Sequence, residues 1–293
     1  MTPGIRTPRI MSPGIMSTVR PAVLIAIPAH NEEMLVGRCL RSVIKAAESA
    51  QRSNTVGLVR LAVCAHRCHD STATVARAVL AGAPVVDPVV IELSSPMRVG
   101  GVRAELIRRA SAGMPTEHTW LFSTDADTEV PVDWITGIIG AATVTGADLV
   151  LGLAELLDWE ADDAARAAYE EIIAAGLHAN GHDHVYAANL AIRLAAYQQI
   201  GGFAAVRHGE EHHLAAAARA AGLGVSSVYE PRVRTSARMP GRAEAGLGDL
   251  LARLTGSNGR TSRGVKPAIP IAQQPVPQQP VPQQPVPQQP VPQ

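Results

Sequence analysis

The sequence predicts an α/β fold: a mostly parallel, Rossmann-like sheet flanked by helices on both faces, built as a single domain. Three observations predict it. Short apolar runs alternate with helical patterns along the first 150 residues, the order expected when parallel strands are joined by crossover helices. Apolar residues make up 46% of the 293-residue chain, enough for a large core, yet aromatics are only 3%, so Ala, Val, Leu and Ile must fill it. Polar residues with ligand chemistry follow the apolar runs, on the sheet edge where open α/β folds bind their ligands.

The elements follow in order. Residues 23–27 read as a buried strand, and 32–49 as a helix with Val36, Leu40, Val43, Ile44 and Ala47 at helical spacing. Strands at 58–63 and 89–93 alternate with helices at 71–81 and 101–112, and residues 120–123 form a fourth strand. Pro131 suits a first helical turn and opens a helix to about 144. The second half is less regular, with a strand at 149–153, helices at 160–178 and 210–221, and short strands at 225–228 and 233–235.

The expected organisation is a disordered segment over 1–20, a folded domain over 21–256 and a disordered tail over 257–293. The first carries Thr-Pro-Gly-Ile and Ser-Pro-Gly-Ile without hydrophobic period, and the tail repeats Gln-Gln-Pro-Val-Pro four times from Gln273. Proline at that density excludes helix and sheet and favours an extended polyproline-like spacer, or a ligand for an aromatic groove on an unidentified partner.

Charge narrows function. Lys plus Arg equals Asp plus Glu at 26 each, so no global field recruits nucleic acid. Seven arginines over 232–263 suit phosphate, on a ligand or on a membrane surface, which leaves peripheral membrane contact open. Three cysteines, no apolar leader and no apolar run of ~18–20 residues lead to the expectation of a cytoplasmic protein.

Asp125-Ala126-Asp127 follows the fourth strand. In an extended segment residues i and i+2 share a side, so both carboxylates could address one Mg²⁺ or Mn²⁺; the competing reading is an ordinary turn. Pro28-Ala29-His30-Asn31-Glu32-Glu33 follows the first strand, with Asn31 a good N-cap and the two glutamates in a first helical turn. Cys64-Ala65-His66-Arg67-Cys68-His69-Asp70-Ser71-Thr72-Ala73 follows the second strand, and Gly100-Gly101-Val102-Arg103 opens the third helix. The Cys64, His66, Cys68 and His69 spacing also resembles a metal knuckle or haem box, but lacks a clear fourth ligand and the usual spacing. His178, His182, Asp183 and His184 form a second cluster, open to reading as a ligand-binding loop or as an ordinary surface loop.

Taken together, Pro-x-x-Asn-Glu, Asp-Ser-Thr-Ala, Gly-x-x-Arg and Ser-Thr-Asp-Ala-Asp-Thr-x-x-Pro, each at the end of a successive strand, resemble the family 2 glycosyltransferases. Downstream, Tyr186-Ala187-Ala188-Asn189-Leu190, Gly201-Gly202-Phe203 and Gly209-Glu210-Glu211-His212 are similar to further signatures of that family, and the likeness covers about 21–240. It implies a GT-A fold, a nucleotide-diphospho-sugar donor, an unknown acceptor hydroxyl, an inverting transfer and a divalent metal, Mg²⁺ or Mn²⁺. Under it Asp127, with Asp125, holds the metal, and Glu211, with Glu210 beside it, is the catalytic base. Pro28, His30, Asn31, Glu32, His66, Asp70, Arg103, Asp125 and Asn189 fall at nucleotide-sugar-binding positions. Arg238 or Arg242, whose guanidinium fork matches phosphate, closes over the diphosphate. Ala65-His66 stand where many members carry base-contacting Asp residues, and Glu211 stands where the base is Asp. Alternatives are an inactive nucleotide-sugar-binding scaffold of the same fold and a nucleotidyltransferase, the latter disfavoured because no Gly-rich basic loop follows the first strand.

Overall fold

Alternation along the strands sets the layers. In β1 (Ala22–Ala29), Val23, Ile25 and Ile27 face one cluster of buried side chains while Leu24 and Ala26 face another. The computed structural model describes residues 20–238 and 246–256. Arg242, the N-terminal segment and the repeat tail lie outside the described residues.

After β1 come α1 (Val36–Arg52), β2 (Val59–His66), α2 (Thr72–Ala81), β3 (Asp87–Leu93), α3 (Val99–Ala110), β4 (Thr119–Ser123), β5 (Thr128–Glu129) and α4 (Trp134–Thr145). The second half holds β6 (Leu149–Leu157), α5 (Asp163–Ala175), the hairpin β7 (Leu177–His178) and β8 (Gly181–His182), β9 (Leu190–Arg193), α6 (Leu194–Gln199), α7 (Glu210–Ala220), β10 (Val225–Ser236) and α8 (Leu247–Gly256). An eight-stranded sheet runs β3-β2-β1-β4-β9-β6-β10-β5. Strands β9 and β5 run against the others, so the sheet is mostly parallel as predicted.

One face is covered by α1, α2 and α4 through residues such as Leu40, Leu80 and Ile138; the other by α3, α6 and α7 through Leu106, Leu194 and Leu214. Burying each such leucine or isoleucine contributes about 1.5–3 kcal/mol, which makes the central strands the rigid base of the site. A small third cluster joins Trp159, Ala165 of α5 and Leu251 of α8.

Several sequence expectations shift. The first helix begins at Val36 rather than 32, because residues 32–35 form a separate turn in which Glu32 C=O accepts from Leu35 and Val36 N–H. Asn31 is therefore not its N-cap; it sits at φ 52 in the left-handed region. The two short strands at 225–228 and 233–235 are one strand, β10, whose register against β6 breaks between Val228 and Val233. The sequence pattern did not reveal β9, because a strand of only four residues within an Asn-containing motif has no readable period.

Candidate active site

The parallel strands end together at one sheet edge, and the predicted residues gather there. Ser123 closes β4, and the chain then turns sharply: Asp125 C=O accepts from Thr128 N–H at 3.1 Å, so Asp125-Ala126-Asp127 is a turn between β4 and β5 rather than an extended segment. Ala126 is buried beneath it and the Cys39 thiol donates to Asp125 C=O at 3.3 Å. Strand β10 ties down the far side, through Ser236 N–H to Asp127 C=O at 3.2 Å and Thr128 Oγ1 to Thr235 Oγ1 at 2.9 Å.

Each Asp is bridged by an arginine to an acid from another element. Arg103 of α3 pairs with Asp125 and, at 3.4 Å, with Glu210, the first residue of α7. Its Nη1 donates to Ser123 Oγ at 2.8 Å, and its guanidinium lies 5.7 Å from the Phe203 ring centroid. Arg238 forks onto Glu32 at 2.8 and 3.1 Å and reaches Asp127 Oδ2 at 3.1 Å. Arg103 is 2% exposed, which corrects its expected role as a donor ligand: it lies under the Asp125 turn, with its polar edge taken up by protein.

Asn189 requires a similar correction. It is fully buried, its amide donates to the carbonyls of Leu153 and Pro231 at 2.8 and 2.9 Å, and its oxygen accepts from Trp134 Nε1 at 2.8 Å. A Cβ at position 152 would overlap the Asn189 amide, so Gly152 makes room for it. Asn189 clamps β6, α4 and β10 together below the site and offers no surface to a nucleotide sugar.

The loops after β1 and β2 cross-link each other. Asn31 Oδ1 accepts from His69 N–H at 2.8 Å, and Asn31 N–H donates to Cys68 Sγ at 3.3 Å. Glu32 N–H donates to Thr72 Oγ1 at 2.7 Å, Glu33 N–H to Asp70 at 3.1 Å and Ser71 N–H back to Glu33 at 3.0 Å. His30 Nδ1 lies 2.8 Å from His66 C=O, and His66 Nε2 lies 3.0 Å from Ser95 C=O. Asp70 also accepts from Thr72 N–H at 3.0 Å; burial opposes its charge, yet hydrogen bonds from Thr72 and Glu33 hold its carboxyl below the usual range. Asp70 thus stabilises the loop pair and the start of α2. Pro28 stays within β1, in register with Cys64. Sequence reading missed the contributions of Thr72, Glu33 and Ser123, although all three stood inside the quoted motifs.

Among the described residues the charges do not balance: Glu32, Asp125, Asp127, Glu210 and Glu211 face Arg103 and Arg238, five carboxylates against two guanidiniums. Burial, reinforced by Asp125 and Glu32, pushes Asp127 up to about 7 despite Arg238. Burial and the adjacent Glu210 push Glu211 up to about 7 as well. Glu210 is spent on Arg103, whereas Glu211 has only His212 Nε2 at 3.8 Å as an ion-pair partner among the described residues. Among the described residues no three His, Cys, Asp or Glu side chains converge as a metal cage, the Cys64–His69 loop included. The Asp pair is a two-carboxylate site whose unbalanced negative charge and hard oxygens suit a divalent cation that keeps water or substrate oxygens as its other ligands.

A family model described as "Glycosyltransferase like family 2" matches residues 21–245. The chain belongs to this family. Comparison with curated protein sequences found no match. Among solved structures, the mannosyltransferase PcManGT from Pyrobaculum calidifontis in complex with GDP-Man and Mn²⁺ aligns with a TM-score of 0.60 at 17% identity, over 76% of this chain and 59% of its own. TarS from S. aureus, in complex with UDP-GlcNAc, aligns with a TM-score of 0.53 at 12% identity, over 80% and 65%. GalNAc-T7 with UDP, GalNAc and Mn²⁺ aligns with a TM-score of 0.56 at 12% identity, over 80% and 48%. The family 2 domain described here has their GT-A fold, and it spans less than two thirds of the length of each of these three proteins.

Proposed function

We propose that this family 2 protein is an inverting glycosyltransferase that moves a sugar from a nucleotide-diphospho-sugar to an acceptor hydroxyl with help from a divalent metal. One observation carries the reading: a surplus of carboxylates at the strand ends, divided between a two-Asp turn and a separate glutamate on α7. Asp127, with the outer oxygen of Asp125, would hold Mg²⁺ or Mn²⁺. When bound, the metal acts as a Lewis acid toward the departing diphosphate. Glu211 takes the proton from the acceptor hydroxyl as that oxygen attacks the anomeric carbon and the bond to the diphosphate breaks. A base poised near neutrality combines the right protonation state with useful driving force. Arg238 turns its fork from Glu32 toward the diphosphate, since guanidinium matches phosphate geometry as well as carboxylate. The structural relatives solved with GDP-Man and UDP-GlcNAc make GDP- and UDP-sugars the first donors to try.

The experiment is a thermal-shift screen of nucleotide sugars with and without Mn²⁺, followed by turnover measurements on the binders. Ligand binding to the native state raises its melting temperature. Glu211→Gln is expected to lower turnover by about 10²–10⁴-fold, the usual contribution of a general base. Asp127→Ala is expected to remove the metal dependence. Unchanged turnover in either variant would overturn the assignment of that residue, and binding without turnover across the panel would favour an inactive scaffold.

A further inference from the structure

Arg103 is where the motifs of this site meet. Its guanidinium contacts Ser123, Thr124 and Asp125 at the end of β4, Glu210 at the start of α7, and the Phe203 ring. Three segments that look unrelated in sequence thus surround one side chain. Gly100 makes the approach possible: a Cβ there would overlap the Ala204 carbonyl oxygen and crowd Glu210 Cβ, so α3 lies directly against the entry to α7.

The two elements that Arg103 joins carry different halves of the proposed chemistry. Asp125 and Asp127 sit on a tight turn, and Glu211 sits in the first turn of α7, after a loop that ends at the left-handed Gly209. Reacting groups on separate elements need placement to within about 0.5 Å, which loops do not supply without supporting contacts. A planar fork with five donors can fix the relative position of two carboxylate-bearing elements, which a single ammonium cannot. We propose that Arg103 is a positioning residue that registers the first turn of α7, and with it Glu211, against the Asp125–Asp127 turn, and that it does not bind the donor. Its kinetic consequence rests on the glycosyltransferase reading; its geometric consequence does not.

The test compares the full chain with Arg103→Met, Arg103→Lys and Glu210→Gln by two measurements. Hydrogen exchange is followed at the Thr128 and His213 amides, which bond Asp125 and Gly209 carbonyls at 3.1 Å each. Arg103→Met is expected to speed exchange at both amides, Arg103→Lys at both to a smaller degree, and Glu210→Gln at His213 alone. Kinetics use whichever GDP- or UDP-sugar the wild type turns over with Mn²⁺. Arg103→Met is expected to lower kcat by about 10²-fold, the cost of a displacement near 1 Å, with donor KM within about threefold of wild type. Arg103→Lys should recover part of the lost kcat. A raised donor KM with kcat preserved would make Arg103 a donor contact and overturn the proposal. Faster exchange at only one amide in Arg103→Met would do the same. If Arg103→Met does not fold, Arg103→Lys and Glu210→Gln decide: exchange at His213 unchanged in both overturns the link. If the wild type turns over no nucleotide sugar, the enzymatic reading falls while the exchange measurements still decide the link.

Discussion

Two arginines bridge the same Asp-x-Asp turn, yet they are built differently. The Arg103 side chain is 3% exposed, its ion-pair partners Glu210 and Asp125 are 6% and 36% exposed, and five protein groups surround the guanidinium. The Arg238 side chain is 31% exposed, its partners Glu32 and Asp127 are 8% and 19% exposed, and among the described residues its buried Nε–H has no hydrogen-bond partner. Arg103 grows from a helix packed into the core; Arg238 lies two residues beyond the end of β10. The first has the character of a fixed pillar and the second of an exchangeable arm. Equal charge on one turn thus serves two mechanical roles, separated by water access and by the number of bonds each fork completes.

Stability should separate them most widely. Removing one partner of a buried charge pair leaves the other uncompensated, so Arg103→Met is expected to cost about 3–5 kcal/mol. Arg238→Met should cost less, on the order of 1 kcal/mol, because its guanidinium is partly hydrated in the folded state and solvent screens the pair. Denaturant titration of both variants checks this, and equal losses would erase the distinction between pillar and arm.

A smaller effect reads the carboxylates that neither arginine neutralises. Asp127 and Glu211 each titrate near 7 in the folded chain, against 3.8 and 4.5 for the ordinary groups. Between those values the folded state holds more protons than the unfolded one, so the contribution of these two groups to stability is full below about pH 4 and is lost as pH rises through 7. The expected loss between pH 5 and pH 8 in metal-free protein is on the order of 3–5 kcal/mol for the two groups together. Added Mn²⁺ should recover the Asp127 share by favouring its ionised form, and Glu211→Gln should remove the Glu211 share. A melting temperature that rises over this range would contradict both assignments. If Glu211 is the base, kcat should rise with pH on an acid limb near 7.

The sequence made the fold and the ring of motifs legible because strand ends are punctuated by short polar signatures, and parallel strands bring those ends to one edge. It could not reveal which members of a motif face the ligand. Asp125 and Asp127 were posed as either a turn or a metal pair; they are a turn that gathers both carboxylates, so the alternatives were not exclusive. Asn189 and Arg103 have motif spacing indistinguishable from ligand contacts, but their side chains are used inside the fold, a fact set by long-range packing 42 and 107 residues away in sequence. The cross-linked loops after β1 and β2 were hidden for the same reason, since each bond pairs residues 36 to 40 positions apart.

The finest test of the comparison concerns Arg238 alone. In the free protein its fork is shared between Glu32 and Asp127, while its buried Nε–H has no acceptor among the described residues. A diphosphate oxygen near Asp127 would supply that acceptor, and a charge-assisted hydrogen bond contributes about 1.5–3 kcal/mol. Part of this is offset, because the fork gives up Glu32 to make the new contact. Arg238→Met is therefore expected to raise donor KM by about tenfold, the equivalent of ~1.4 kcal/mol, with kcat changed less. Arg238→Lys should recover little of it, since an ammonium cannot fork. Initial-rate kinetics at saturating Mn²⁺ make the measurement. A donor KM left at the wild-type value, together with a stability loss as large as that of Arg103→Met, would make Arg238 a second pillar rather than an arm.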